Sequence, residues 1–180
     1  MSVLSVSASG SHDFSKSTVP NITLVENVGV KGDAHSGAHV QHLSRLHINP
    51  PPQNLRQVHL MPYEVLKAVN VNPGQLGENI TTEGIDLLAL SKGTKLRFMD
   101  QQSQTADCPV VTVTGLRNPC PQIDKFRSGL KEHFIVRDTN RTIIERKAGI
   151  MGIVEAGGDI RPGMTIVVEQ PAVFERMECV

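Results

Sequence analysis

The sequence predicts a β-rich α+β domain, a barrel-like or strongly bent mixed sheet carrying a few short helices. Three observations support this. About seven short segments of apolar or alternating residues recur along the chain, closed by glycine and proline turns. Only two stretches place apolar residues at helical spacing. No GxGxxG fingerprint appears, which removes the usual support for a doubly wound dinucleotide fold and for hydride transfer.

Val3 to Ser7 alternate partly as a strand, and the polar run Ser9 to Ser17 reads as a loop or hairpin insertion. Ile22 to Val25 is the next strand. It runs into Gly29 to Gly37, where glycines and Asp33 suit turns that need positive φ or close approach to a ligand. His47 to Asn54 contains consecutive prolines, Pro50 to Pro52, and is expected as a surface loop. Gln57 to Leu60 is a short strand, and Pro62 to Val69 a helix with proline in its first turn and Val65, Leu66 and Val69 on one face. So short a helix needs a sheet to pack on.

Pro73 to Gly84 is expected as a second glycine-punctuated, site-like loop. Thr94 to Met99 and Val111 to Gly115 alternate as half-buried strands. Pro119-Cys120-Pro121 then opens a helix carrying Ile123, Phe126 and Leu130, so a strand-turn-helix unit presents Cys120 at its turn. Ile150 to Val154 and Thr165 to Glu169 complete the strands. No internal repeat is visible. With 180 residues, one domain over residues 1–170 and a C-terminal tail over 171–180 is the expected organisation.

Composition bounds the function. Hydrophobic residues make up 39% and charged residues 20%, enough for a folded core. Aromatics stand at 3%, with 18 basic and 18 acidic residues in balance, so neither stacking platforms nor a polyanion footprint for nucleic acid is present. No apolar run is long enough to span a bilayer and no signal segment opens the chain, which makes the cytoplasm the expected compartment and a membrane no expected partner. Cys108, Cys120 and Cys179 form no CxxC pair, and an odd count without a secretion signal reads as reduced thiols.

Cys120 is the principal candidate for chemistry. A helix start and the guanidinium of Arg117 both favour the thiolate, the form that binds metal or carries sulfur; the alternative is a structural cysteine in a proline-rich turn. Gly77 to Thr82 offers close approach at Gly77, the Asn79 amide and two hydroxyls for a polar or phosphorylated ligand, though it lacks P-loop spacing; the plainer alternative is a tight turn. Arg146 and Lys147 join Lys31, Arg56 and Arg117 as cations that would neutralise an anionic ligand if they converge, or otherwise form a solvated face. His35, His39, His42 and His47 lie within thirteen residues, a spacing open to a divalent metal, but without HExxH and among glycine and proline they read as a polar loop. His59 and His133 read as surface or satisfied polar residues.

Taken together, several segments resemble the MOSC domain, named for the C-terminal domain of molybdenum cofactor sulfurases. They are Gly32-Asp33-Ala34-His35-Ser36-Gly37, Arg56-Gln57-Val58-His59-Leu60, the run Pro73 to Leu87, Leu90 to Leu96, Arg117-Asn118-Pro119-Cys120, Ala148 to Val154, and Gly157-Gly158 with Pro162-Gly163-Met164. The resemblance spans roughly residues 2–169 and implies a β-rich, barrel-like fold. It places the family's cysteine on Cys120, as a ligand of molybdenum or a carrier of sulfur, with molybdenum cofactor (molybdopterin) as the cofactor. Lys31, Asp33, His35, Arg56, Glu78, Asn79, Thr81, Arg117 and Asn118 fall in or beside the matching segments and are the expected cofactor-binding residues.

The family's known roles include reduction of N-hydroxylated compounds, which would require an electron-donating partner. A non-catalytic carrier serving molybdoenzymes is the alternative. The sequence is similar to stand-alone MOSC proteins, so neither the extra barrel region of the reductase branch nor the pyridoxal-phosphate domain of the sulfurases is expected. Pyridoxal phosphate is therefore not expected, as no lysine sits in a recognisable Schiff-base motif.

Overall fold

The computed structural model describes residues 1–40, 49–100 and 108–180. The histidines His42 and His47 lie outside the described residues. In chain order the first strands are β1 (Ser2–Ala8), β2 (Ser17–Val19), β3 (Ile22–Val25), β4 (Gly29–Val30) and β5 (Val58–Pro62), followed by helix α1 (Tyr63–Ala68). Then come β6 (Ile80–Glu83), β7 (Lys95–Met99), β8 (Val110–Leu116) and helix α2 (Gln122–Phe126). The chain ends through β9 (Ile135–Arg137), β10 (Ile143–Arg146), β11 (Ile150–Ala156), β12 (Gly158–Ile160) and β13 (Thr165–Glu169).

Seven strands close into a barrel in the order β13, β7, β8, β11, β5, β6, β1, and the ring closes where Ser2 of β1 meets Thr165 of β13. Closure removes the open edges that would otherwise template aggregation. The pairings are antiparallel except β5 with β6, which run parallel with Leu60 opposite Ile80. Parallel neighbours need a crossover, and α1 supplies it. β2 extends β1; β12, β3 and β4 form a small second sheet, and β9 and β10 a hairpin.

The alternation expected for Thr94 to Met99 is realised in β7, where Leu96 and Phe98 are fully buried and their neighbours half-exposed. They join Val6, Leu60, Ile80, Val111, Ile150 and Val154 in the barrel core. Each such side chain contributes about 1.5–3 kcal/mol on burial. A second core lies outside the barrel: Met61, Leu66, Val71, Leu76, Ile123 and Phe134 pack α1 and α2 against the sheet, and Cys120 sits on its edge. That contact fixes the turn carrying the thiol.

Two expectations are corrected. Pro73 to Gly84 is not loop throughout, since Ile80–Glu83 forms β6 in the barrel wall with Thr81 and Thr82 buried. Polar threonines disguised a buried strand. The helix after Cys120 is also shorter than the Ile123, Phe126, Leu130 spacing suggests: α2 ends at Phe126, and Arg127 after it is extended, with φ of −152°. Gly129 then takes φ of 77° and starts a separate 3-10 segment, Leu130–Phe134. The last residues lie along β8, with Leu116 N–H donating to Glu178 at 2.7 Å and Met177 in the barrel core.

Candidate functional site

β1 ends where β5 and β6 begin. β11 runs antiparallel to β5, so it begins, and β8 ends, beside Leu60 of β5, with Ile150 opposite both Leu60 and Leu116. A cavity of about 310 Å³ lies against these strands and the loops that join them. That volume lies at the low end of the roughly 300–1,000 Å³ usual for small-molecule sites. The connection after β8 brings Arg117, Asn118 and Cys120 to its wall, the segment before β11 approaches through Met151, and the start of β5 supplies His59.

Cys120 is half-buried, and its thiol donates toward Gln122 Oε1 at 3.8 Å. α2 has only five residues and no side-chain cap, so its dipole supplies little positive potential. Arg117 supplies it instead. This guanidinium is 8% exposed, lines the cavity, and has Nη1 without a hydrogen-bond partner. Burial pushes its pKa down, while negative charge on Cys120 and then Glu78 pushes it back up. An arginine stays protonated in proteins, so an unpaired cation faces the cavity.

Asp33 organises the wall around Lys16. Its Oδ2 faces Lys16 Nζ at 2.6 Å and accepts from Asn79 Nδ2 at 3.0 Å; its Oδ1 accepts from His35 N–H at 3.0 Å. Burial works to raise the Asp33 pKa, but the His35 hydrogen bond and the Lys16 charge outweigh it and hold the carboxyl well below the usual range. Lys16 shows the converse: burial lowers its pKa and the charge of Asp33 only partly restores it. Asn79 ties three elements together, since its Nδ2 also donates to the Ser7 carbonyl and its Oδ1 accepts from His59 N–H. Glu78, fully buried, accepts through Oε1 from Gly74 N–H at 2.6 Å and Thr81 Oγ1 at 3.1 Å, and burial raises its pKa.

His59 is buried beside Arg117. Its Nε2 lies 2.8 Å from the Ala148 carbonyl, which selects the tautomer with the proton on Nε2. Burial, then the Arg117 charge, push its pKa well down, so the ring is neutral at pH 7. Gly149, with φ of 87°, packs against this ring so closely that a Cβ would lie 2.9 Å from Nε2.

The polar run between β1 and β2 closes one side. Ser15 Oγ donates to Gln75 at 2.8 Å, Lys16 N–H donates to Gly74 at 2.8 Å, and the Phe14 carbonyl crosses Gly77 where a Cβ would sit 2.5 Å away. Phe14 meets Phe126 at 5.9 Å and His12 meets His35 at 5.3 Å between ring centroids.

Of the residues singled out in the sequence, His35, Arg56, Asn79, Arg117, Asn118 and Cys120 line this one cavity. Asp33, Glu78 and Thr81 stand behind its wall and hold the lining in place. Lys31 is exposed and is not among the residues that line the cavity, and Lys16 is the lysine that does. Lys16, His12 and Asn54 were missed because they sit in polar segments with no motif, and His59 was read as a satisfied polar residue when it is also a wall residue. Among the described residues no group of three His, Cys, Asp or Glu side chains is placed to hold a metal ion, and none of their helices is long and apolar enough to cross a membrane.

Comparison with known proteins agrees with this architecture. The fold is similar to the YuaD protein of Bacillus subtilis, with TM-score 0.70 and 20% identity over 94% of this chain and 96% of that one. It is also similar to YiiM from Escherichia coli, with TM-score 0.60 and 17% identity over 98% and 73% of the two chains. YiiM from Geobacillus stearothermophilus gives TM-score 0.60 and 15% identity over 93% and 73%. No curated protein matches. Residues 34–167, about three-quarters of the sequence, match the model of the MOSC domain, and the chain belongs to the MOSC domain family.

Proposed function

We propose that the chain binds molybdenum cofactor, with Cys120 supplying a thiolate to the metal or holding the sulfur destined for it. The observation that carries this reading is the pairing, on one cavity wall, of a half-buried thiol with a buried, unpartnered guanidinium three residues away. The donor set fits the group. A thiolate is a soft ligand of the kind such a metal takes, and Arg117 with Arg56 offers planar donors to an anionic pterin. Bound there, the cofactor supplies the redox centre, and with an electron-donating protein the activity is reduction of N-hydroxylated compounds. The chain's own residues bind and orient: Asn118 and His59 line the wall near the thiol, and Asp33 and Asn79 keep it rigid.

The test is expression in a host that makes molybdenum cofactor, followed by metal analysis and fluorescence of the oxidised pterin. Wild type is expected to carry molybdenum and pterin together, and Cys120→Ser to lose most of the metal. Equal molybdenum in both removes Cys120 as a ligand. A wild-type protein with neither pterin nor a persulfide on Cys120, the latter read by intact mass, overturns the reading. Turnover of an amidoxime with an artificial electron donor separates an enzyme from a carrier.

A further inference from the structure

Lys16 and Arg117, which line the cavity together with Arg56, are not equivalent. Lys16 Nζ lies 2.6 Å from Asp33 Oδ2, and both side chains are almost wholly buried, at 4% and 3% exposure. The pair carries no net charge. Asp33 cannot turn to other work, because Asn79 Nδ2, Ser9 N–H and His35 N–H hold both of its oxygens. An ammonium has three donors, and Asp33 is the partner the described residues give Lys16 Nζ, so donors remain for the cavity it lines.

Arg117 is the opposite case. No carboxylate stands within ion-pair distance among the described residues. The negative charges that act on it are Cys120 and then Glu78, and Glu78 is fully buried with Oε1 engaged by Gly74 and Thr81. Arg117 therefore has no carboxylate ion-pair partner of its own among the described residues.

We infer that the cavity reads two chemically different ends of one ligand: Arg117 takes an anionic group beside Cys120, and Lys16, neutralised by Asp33, donates to an uncharged acceptor such as a ring carbonyl. This rests on the proposed function and deepens it by assigning an orientation. A phosphorylated pterin concentrates charge at one end and carries a neutral ring carbonyl at the other. An anion set on Lys16 would meet the Asp33 carboxylate behind it, whereas a carbonyl oxygen gains a charge-assisted hydrogen bond there. The same oxygen set on Arg117 would leave the guanidinium charge unanswered in a buried wall.

The test uses two probes, the uncharged 6-hydroxymethylpterin and inorganic phosphate, with affinities measured by calorimetry on the full chain. Lys16→Met with Asp33→Asn removes both charges of the pair together, so the net charge of the cavity is unchanged and no buried ion is stranded. This double variant is expected to weaken the pterin by about tenfold or more and leave phosphate within about twofold. Arg117→Met is expected to do the reverse, and circular dichroism checks that both variants fold. Should either fail to fold, Lys16→Gln with Asp33→Asn, and Arg117→Lys, read the same two ends with smaller losses. Parallel loss of both probes in either variant overturns the assignment, as does unchanged pterin affinity in the double variant or wild-type binding of neither probe. The metal and pterin content of Cys120→Ser judges the underlying function separately, since it does not involve Lys16.

Discussion

Replacing Gly149 with alanine is expected to cost about 3 kcal/mol of folding stability, from two separable causes. Gly149 has φ of 87°, a left-handed conformation that costs an L-residue about 1 kcal/mol. An added Cβ would also collide with the Leu60 carbonyl oxygen and lie 2.9 Å from His59 Nε2 and 3.0 Å from Met61 Sδ. The carbonyl belongs to β5 in the barrel wall, where forced displacement costs about 1–3 kcal/mol. Gly163 is the control. Its φ is 88°, yet nothing lies within 4 Å of the position its Cβ would take. Gly163→Ala therefore bears only the conformational cost.

Because the chain has no tryptophan, equilibrium urea unfolding is best followed by far-ultraviolet circular dichroism, with free energies compared at a common slope. Gly149→Ala should fall about 2 kcal/mol below Gly163→Ala. A difference under about 0.5 kcal/mol would falsify the claim that packing against His59 and β5, rather than backbone conformation alone, requires glycine there.

Two further outcomes follow from the buried ionisable groups. The folded His59 pKa is depressed, so below about pH 6.5 the unfolded chain takes up a proton that the folded chain does not, and stability falls as pH falls. Wild type minus His59→Gln should therefore show a stability difference that declines with acidity at up to about 1.4 kcal/mol per pH unit; a flat difference between pH 7 and 5 rejects a neutral buried imidazole. Asp33→Asn alone strands the Lys16 ammonium in the wall and should cost about 3–5 kcal/mol at neutral pH. The Lys16 pKa falls further in that variant, so the unfolded chain binds more protons over the alkaline range and stability recovers as pH rises toward 10. Urea midpoints at pH 7 and 9.5 check this, and a variant equally stable at both would mean that solvent reaches Lys16.

The barrel was legible wherever one face of a strand is apolar and the other is not. Leu96 and Phe98 in β7, and Val111 and Val113 in β8, announce themselves by period two. β6 hid because Thr81 and Thr82 are polar by type and buried by position; their place was set by pairing with β1 and β5, which no local window contains. β4, at two residues, is too short to carry a period at all. The site divided in the same way. Arg117 and Cys120 lie three residues apart in sequence and their shared wall could be read from the turn between β8 and α2, whereas Lys16 and Asp33 meet only after the β1–β2 connection folds over the turn that follows β4. Lys31 looked equally good in sequence because charge type says nothing of which way a turn faces.

Five buried side-chain atoms lack a hydrogen-bond partner among the described residues: Ser7 Oγ, Glu78 Oε2, Thr82 Oγ1, Arg117 Nη1 and Arg146 Nε. Each costs about 1–3 kcal/mol where water is excluded, and a charged one more. A fold selected for stability alone would fill or pair them. Arg117 borders the cavity itself; Glu78 and Ser7 lie near it, Glu78 by its electrostatic action on Arg117 and Lys16, and Ser7 through its carbonyl bond to Asn79. Beside them, Asn79 is bonded across three elements and Asp33 has both oxygens engaged. Rigid, satisfied scaffolding around an unsatisfied cation is the arrangement expected when the missing partner is a ligand, because preorganised donors bind without a further ordering cost. The single parallel pair places part of this scaffold: β5 and β6 start side by side, so the backbone of His59 and Asn79 joins across the gap, and the end of β1 is tied to it by Ser7 N–H donating to the Asn79 carbonyl.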